Sequence, residues 1–107
     1  MKQLILFFLF FSFTATVNAQ EKINYFGEVR DTLGSPLQFA NVLALDTVTN
    51  KMAAFAVTNQ QGQFRLSLEA NKAYKLQATF IGYLPFEGYF SPTESNSIPY
   101  RITLKSD

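Results

Sequence analysis

The residue types that most often carry enzyme chemistry are scarce in this chain of 107 residues, which has no histidine and no cysteine. Imidazole and thiolate are the ligands that zinc, copper and iron favour, and they also supply the base or nucleophile of the common catalytic triads. The carboxylates are scattered, and Glu28 and Asp31 straddle the end of a predicted strand. The five glycines lie too far apart for a phosphate-binding loop. We therefore predict no catalytic residue, no cofactor and no metal ion.

One polar segment, TNQQGQF over residues 58–64, has two interpretations. A calcium loop needs several carboxylates at near-alternate positions, whereas this segment offers Asn59 and three glutamines, all of them neutral amides. A turn between two strands needs only Gly62 at a positive φ and Asn59 to cap the bend. The residue types favour the turn.

Several aromatic residues surround a predicted bend at FIGY, residues 80–83. They could form a stacking platform for a sugar or a peptide, since aromatic faces suit both. Alternatively, Phe80 and Phe86 belong to the core and Tyr83 alone is partly exposed. The second interpretation is favoured.

The segment FEGYF, residues 86–90, reads as a short strand interrupted by Glu87 and Gly88. It could lie at the edge of a sheet, where a charge limits further pairing. An open edge could instead accept a strand from a partner. The residues predicted to contact a ligand or partner are Tyr83, Tyr89 and Phe90.

The first 19 residues have the pattern of a secretory signal peptide. Lys2 supplies the charge, residues 4–13 are almost wholly apolar, and Ala19 offers a small residue for cleavage. A membrane-spanning helix would need about 20 apolar residues, more than this run provides. We predict cleavage after Ala19, with no lipidated cysteine, and one exported domain over residues 20–107.

The charge of that domain excludes one class of partner. Loss of Lys2 from the nine basic residues would leave eight, equal to the eight acidic residues. A neutral domain lacks the basic surface that nucleic acid requires. Without cysteine the domain has no disulfide, so its seven phenylalanines and five tyrosines must supply much of the buried area.

Period-two alternation dominates the rest of the chain, as expected for strands with one face on a core. Seven short strands with frequent turn signals predict an all-β sandwich. The predicted strands are 23–30, 37–46, 52–58, 64–69, 74–81, 86–90 and 98–105. The predicted core is Val29, Leu37, Ala40, Val42, Leu66, Leu68, Leu76, Phe80, Ile102 and Leu104.

Three segments together resemble the carboxypeptidase regulatory-like domain: GEVRDTLGSPLQFANV at 27–42, TNQQGQFRL at 58–66 and YKLQATFIGY at 74–83. The match covers nearly all of the predicted domain. Asn59 departs from the family pattern, which often has Asp there, and this argues further against an ion site. The positions that match are Gly27, Val29, Gly34, Pro36, Ala40, Val42, Thr58, Asn59, Gly62, Phe64, Gly82 and Tyr83.

The resemblance implies a seven-stranded Ig-like or transthyretin-like sandwich that is not catalytic. Such domains commonly stand at the N-terminus of TonB-dependent outer-membrane receptors. The implied partner is an envelope protein or a receptor barrel, either separate or in the same longer chain. The implied location is the periplasm or the periplasmic face of the outer membrane. The alternative is a small carbohydrate-binding module, and a transthyretin-like hydrolase ranks last because that family's site uses histidines.

Overall fold

Residues 21–96 and 98–107, the part that the computed structural model describes, form seven strands and no helix. None of these residues therefore belongs to a helix able to cross a membrane. The predicted signal peptide, residues 1–19, lies outside the described residues. The strands are β1 (Lys22–Asp31), β2 (Asn41–Asp46), β3 (Met52–Val57), β4 (Gln63–Glu69), β5 (Tyr74–Thr79), β6 (Phe86–Phe90) and β7 (Tyr100–Leu104).

The described strands form two sheets, which confirms the predicted all-β sandwich. One sheet has the order β4-β1-β7 and the other β3-β2-β5-β6. β1 pairs antiparallel with β4 and parallel with β7, while the four-stranded sheet is antiparallel throughout. The chain crosses between the sheets after β1, after β3, after β4 and after β6, so the core is built from residues distant in sequence.

The core lies between the sheets and follows the alternation of the sequence. In β4 the pattern is strict, with Phe64, Leu66 and Leu68 buried and Gln63, Arg65 and Ser67 exposed. Nine of the ten predicted core residues are buried, and Phe80 is the exception. The buried hydrophobic residues are Ile23, Val29, Leu37, Ala40, Val42, Ala44, Phe64, Leu66, Leu68, Tyr74, Leu76, Ala78, Ile102 and Leu104.

Phe80 and Phe86, both predicted to belong to the core, are half-buried and pack against it rather than inside it. For Phe80 the reason is that β5 ends one residue before it. The Tyr83 amide donates to the Phe80 carbonyl at 3.1 Å, which places Phe80 at the start of a turn. Its ring is half-buried against Tyr83 rather than enclosed between the sheets.

The second predicted strand, 37–46, was too long at its start. β2 begins at Asn41, and residues 37–40 form a loop in which Phe39 has φ 68°. Leu37 and Ala40 are nevertheless buried, because this loop covers the end of the core. Burial there comes without strand pairing, so apolar content alone led to the error.

The last predicted strand also began too early. β7 starts at Tyr100, and Ile98, which was expected to share its inward face, is 80% exposed. Asn96 explains the difference, since its side chain donates to the Ile98 carbonyl at 2.9 Å and holds this segment in a loop.

Candidate functional site

The polar segment 58–64 is a turn, as predicted. The Asn59 side-chain oxygen accepts hydrogen bonds from the backbone amides of Gln61 at 3.0 Å and Gln63 at 2.9 Å. Gly62 has φ 74°, the left-handed conformation that its residue type was expected to supply. Because the amide oxygen of Asn59 is already shared by two donors, the turn leaves little for a cation to bind.

The same turn joins the two sheets. The Gly62 carbonyl accepts a hydrogen bond from the Val29 amide at 2.7 Å, and the Val29 carbonyl accepts one from Leu37 at 3.0 Å. The buried Thr58 hydroxyl accepts from the Ala40 amide at 2.8 Å and donates to the Leu37 carbonyl at 2.6 Å. The segment therefore fixes β1 and the 37–40 loop in place. Thr58 was named in the sequence as a position that matches the family pattern, but its burial and its two hydrogen bonds were not predicted, since they join residues distant in sequence.

Glu28, the first carboxylate considered for acid–base work, is enclosed by arginines. It is only 7% exposed, and its two oxygens lie 3.2 Å from Arg30 and 2.9 Å from Arg101. The hydrogen bond from Arg30, with a further contribution from Arg101, lowers the pKa of Glu28 against the opposing effect of desolvation. A general acid or base works best with a pKa near the working pH, so this carboxylate is suited to an ion pair instead.

Asp31, its predicted neighbour, has a separate role. Its carboxylate accepts hydrogen bonds from the amides of Leu33 and Ser35, each at 2.9 Å, and so closes the turn that follows β1. The structure thus does not bring Glu28 and Asp31 together as a reacting pair.

A second ion network joins Lys72 to Asp46 and Glu69, at 2.8 Å and 3.4 Å. The hydrogen bond between Lys72 and Asp46 lowers the pKa of Asp46 and raises that of Lys72. Both effects favour the charged pair, as expected for a contact that ties the end of β2 to the turn after β4. In the described part of the chain, His, Cys, Asp and Glu nowhere form a group of three able to hold a metal ion.

The three predicted contact residues do not form a single platform. β6 is an edge strand, as the interpretation of FEGYF allowed, and alternation along it places Tyr89 and Phe90 on opposite faces. Phe90 points inward, with its ring 4.8 Å from that of Tyr25. Tyr83 is half-buried, and its ring lies 5.6 Å from that of Phe80.

Tyr89 is the contact residue that remains on the surface, at 74% exposure. It stands opposite Lys75 in the pairing of β5 with β6. The ring lines a small recess of about 90 Å³ together with Asp46, Thr47, Asn50 and Lys75. The polar side of this recess was missed, because the 47–51 loop gave no sign in sequence that it would lie beside β6.

Two larger clefts of about 430 and 410 Å³ adjoin one another around the exposed ring of Phe26. The first runs along the side of the sandwich, where β3 and β4 approach, and Ala56, Val57 and Arg65 are among its lining residues. The sequence placed Phe26 within a strand but did not indicate a cleft, since these residues come from different sheets.

Comparison with known proteins supports the resemblance found in the sequence. The model of the family described as "Carboxypeptidase regulatory-like domain" matches residues 26–105, which include nearly all of both sheets. No curated protein matches the chain. Members of that family are non-catalytic β-sandwich modules.

Among solved structures, the crystal structure of chlorocatechol 1,2-dioxygenase from Pseudomonas putida is similar in fold. The TM-score is 0.57 at 11% identity, and the match covers 85% of this chain but 61% of the dioxygenase chain. At this identity the likeness concerns the fold and carries no information about activity.

Proposed function

This chain belongs to the carboxypeptidase regulatory-like domain family, and we propose that it is an exported, non-catalytic accessory module of the cell envelope. In this proposal it works by contact with an envelope protein, in the first place the barrel of a TonB-dependent outer-membrane receptor. The barrel is either a separate protein or a further part of a longer chain. The module acts in the periplasm or at the periplasmic face of the outer membrane.

The observation that carries the proposal is the family match across almost the whole sandwich. The state of the charged groups supports it. Glu28 and Asp46 are each held ionised by cationic partners, and Asp31 is used in a turn. Charged groups arranged in this way stabilise the fold. We therefore assign the function of the module to contact between its surface and a partner protein.

The outer face at β6 is the part of that surface we assign to the partner. Tyr89 projects from an edge strand, and a large exposed ring of this type is enriched at the centre of protein interfaces. Glu87 and Lys75 lie on the same face, so a partner would meet an aromatic anchor with polar groups around it.

Fractionation of cells tests the location and the partner together. An antibody raised against residues 20–107 should detect the native product in the outer-membrane or periplasmic fraction, without its first 19 residues. A tagged copy should also co-purify with an outer-membrane barrel protein. An uncleaved product that stays in the cytoplasm would contradict the proposal.

A second candidate function, binding of a small carbohydrate, is favoured by the recess beside Tyr89. An exposed ring next to Asn50 and Lys75 combines a stacking surface with hydrogen-bond donors and an acceptor, which suits a sugar hydroxyl face.

Titration with soluble oligosaccharides from the cell envelope, followed by NMR, would test the carbohydrate alternative. Binding should shift the resonances of the recess and be lost in Tyr89→Ala. Ile81→Ala removes another exposed apolar side chain and should leave it intact. Equal shifts in both variants, or none in the wild type, would reject a sugar site here.

A further inference from the structure

The geometry points to β3 as a self-association edge through which two copies of this chain pair antiparallel, joining their four-stranded sheets into one sheet of eight. This inference goes beyond the proposed function and does not depend on it, since pairing requires only the surface of the chain itself.

The edge of β3 is open. Within the described residues, β3 pairs with β2 on one side and has no paired strand on the other, so it is an edge strand of its sheet. The Thr58 amide donates to the Ala40 carbonyl at 3.0 Å, and bonded and non-bonded pairs alternate along an antiparallel ladder. The backbone groups of Phe55 and Val57 therefore point away from β2. β4 of the other sheet approaches this side, where Ala56, Val57 and Arg65 line a cleft, but no described strand pairs with β3 there. The inward-facing Ala54 and Ala56 are accordingly only half-buried.

The charge pattern separates β3 from the other edges of the described sheets. No charged residue lies between Lys51 and Arg65. The remaining edge strands all carry charge: Arg65 and Glu69 on β4, Glu87 on β6 and Arg101 on β7. A charge on an edge strand opposes pairing, and a two-fold axis brings like charges close together. The edge of β3 lacks such a charge, so it is the edge best suited to pair with a second copy of the chain.

The side chains of β3 are self-complementary in one register. The ladder with β2 is irregular between Ala44 and Leu45, which leaves residues 54–57 as the regular part of the edge. If Ala56 faces Ala56 of the second copy, Phe55 faces Val57 twice across the two-fold axis. Each of those two pairs exchanges two backbone hydrogen bonds, and aromatic–β-branched pairs are favourable across strands.

The outer face of the joined sheets would also be apolar at the junction. Phe55 and Val57 are 51% and 47% exposed, and Leu43 stands beside Phe55 on β2. Pairing would bring the two apolar strips together and remove part of this area from water, which adds to the hydrogen bonds of the ladder. A neutral, apolar and symmetric edge fits a second copy better than a charged partner.

Single cysteines test both the pairing and its register, because the chain has no cysteine of its own. In the proposed register the two Ala56 residues form a non-hydrogen-bonded pair, with Cα atoms about 4.5 Å apart. That spacing lies within the range of disulfides. The full chain carrying Ala56→Cys should become a covalent dimer on mild oxidation, whereas Ala54→Cys, on the same face but four positions out of register, should stay monomeric.

Sedimentation of the full chain without cysteine gives an independent measurement. The wild type should show twice the monomer mass as concentration rises. Phe55→Lys should lose this species, since the two lysines would lie diagonally across the axis, about 7–8 Å apart. Tyr89→Lys, on the opposite edge of the same sheet, should retain it. A wild type that remains monomeric, or a disulfide that forms at position 54 and not at 56, would overturn the inference.

Discussion

At the scale of single residues, the turn at 58–64 depends on a close approach of two backbones. A Cβ atom added to Gly62 would lie 2.5 Å from the Val29 carbonyl oxygen and 3.1 Å from the Pro36 Cβ. Gly34 has a similar φ of 87°, yet a Cβ there would meet no atom within 4 Å. The two glycines therefore separate the cost of the left-handed conformation from the cost of crowding.

We predict that Gly34→Ala lowers the free energy of unfolding by about 1–2 kcal/mol, the usual cost of a left-handed non-glycine residue. Gly62→Ala should cost about 1–3 kcal/mol more, because overpacking adds to the same backbone term. Denaturant titration of both variants measures the difference. Equal losses of unfolding free energy in the two variants would mean that the turn at Gly62 does not pack closely against β1.

Glu28 gives the fold a pH dependence whose sign follows from its partners. The arginines lower its folded pKa below the ordinary value of 4.5, so its contribution to stability is complete above that pH. It is lost as the pH falls from about 4.5 through the lowered folded pKa, because protonation then removes the charge that Arg30 and Arg101 bind.

We therefore expect Glu28→Gln to lower the free energy of unfolding at neutral pH by about 1.5–3 kcal/mol, as for hydrogen bonds to a charged group. The difference in unfolding free energy between the variant and the wild type should become smaller as the pH drops below 4.5. Glu94→Gln removes the same charge at an exposed position and should leave the free energy of unfolding at neutral pH within about 0.5 kcal/mol of the wild type. A gap for Glu28→Gln that stays constant down to the lowest pH would contradict the assignment.

At the scale of elements, part of β1 lacks a strand on one side. β7 pairs with β1 from Gly27 onward, so the earlier residues of β1 have no β7 partner. Asn96 fills this place for Phe26: its side chain accepts from the Phe26 amide at 2.8 Å and donates to the Phe26 carbonyl at 2.7 Å. One side-chain amide thus imitates the peptide group of a missing strand.

Replacing Asn96 should loosen this edge without unfolding the sandwich. Asn96→Ala should lower stability by about 1 kcal/mol, as for one typical hydrogen bond, and speed hydrogen exchange at the Phe26 amide. The Val29 amide, which is bonded to Gly62, serves as the internal control. Unchanged exchange at Phe26 in the alanine variant would show that the loop does not hold the strand.

The elements themselves were predictable where alternation is strict. β4 was placed to within one residue, because burial on one face leaves a clear period of two. β6 was placed correctly although Glu87 and Gly88 interrupt its apolar residues, whereas the alternation of 74–81 continues two residues past the end of β5 at Thr79. The 37–40 loop and Ile98 were misassigned because their apolar residues are a signal of burial, not of strand pairing. Loop contacts made through Thr58 and Asn96 decide those boundaries, and these contacts join residues distant in sequence.

At the scale of the whole molecule, the sandwich followed from the sequence because a small domain without disulfides must encode its core in its alternating pattern. The candidate contact surface was predicted less well from the sequence. Tyr89 was found as an exposed ring, but its recess depends on where the 47–51 loop lies against β6. Phe90 was expected at the surface and is instead in contact with Tyr25. Which face of an edge strand meets the core is set by the neighbouring sheet, which a local pattern does not contain.

The central claim is that this module works by contact through the outer face at β6. Site-specific photo-cross-linking in living cells tests it directly, with the photoreactive residue placed at position 89. Thr103, exposed on β7 in the other sheet, provides the matched control. We predict a covalent adduct with an outer-membrane protein from position 89 and none from position 103. The same adducts from both positions, or none from either, would contradict the claim.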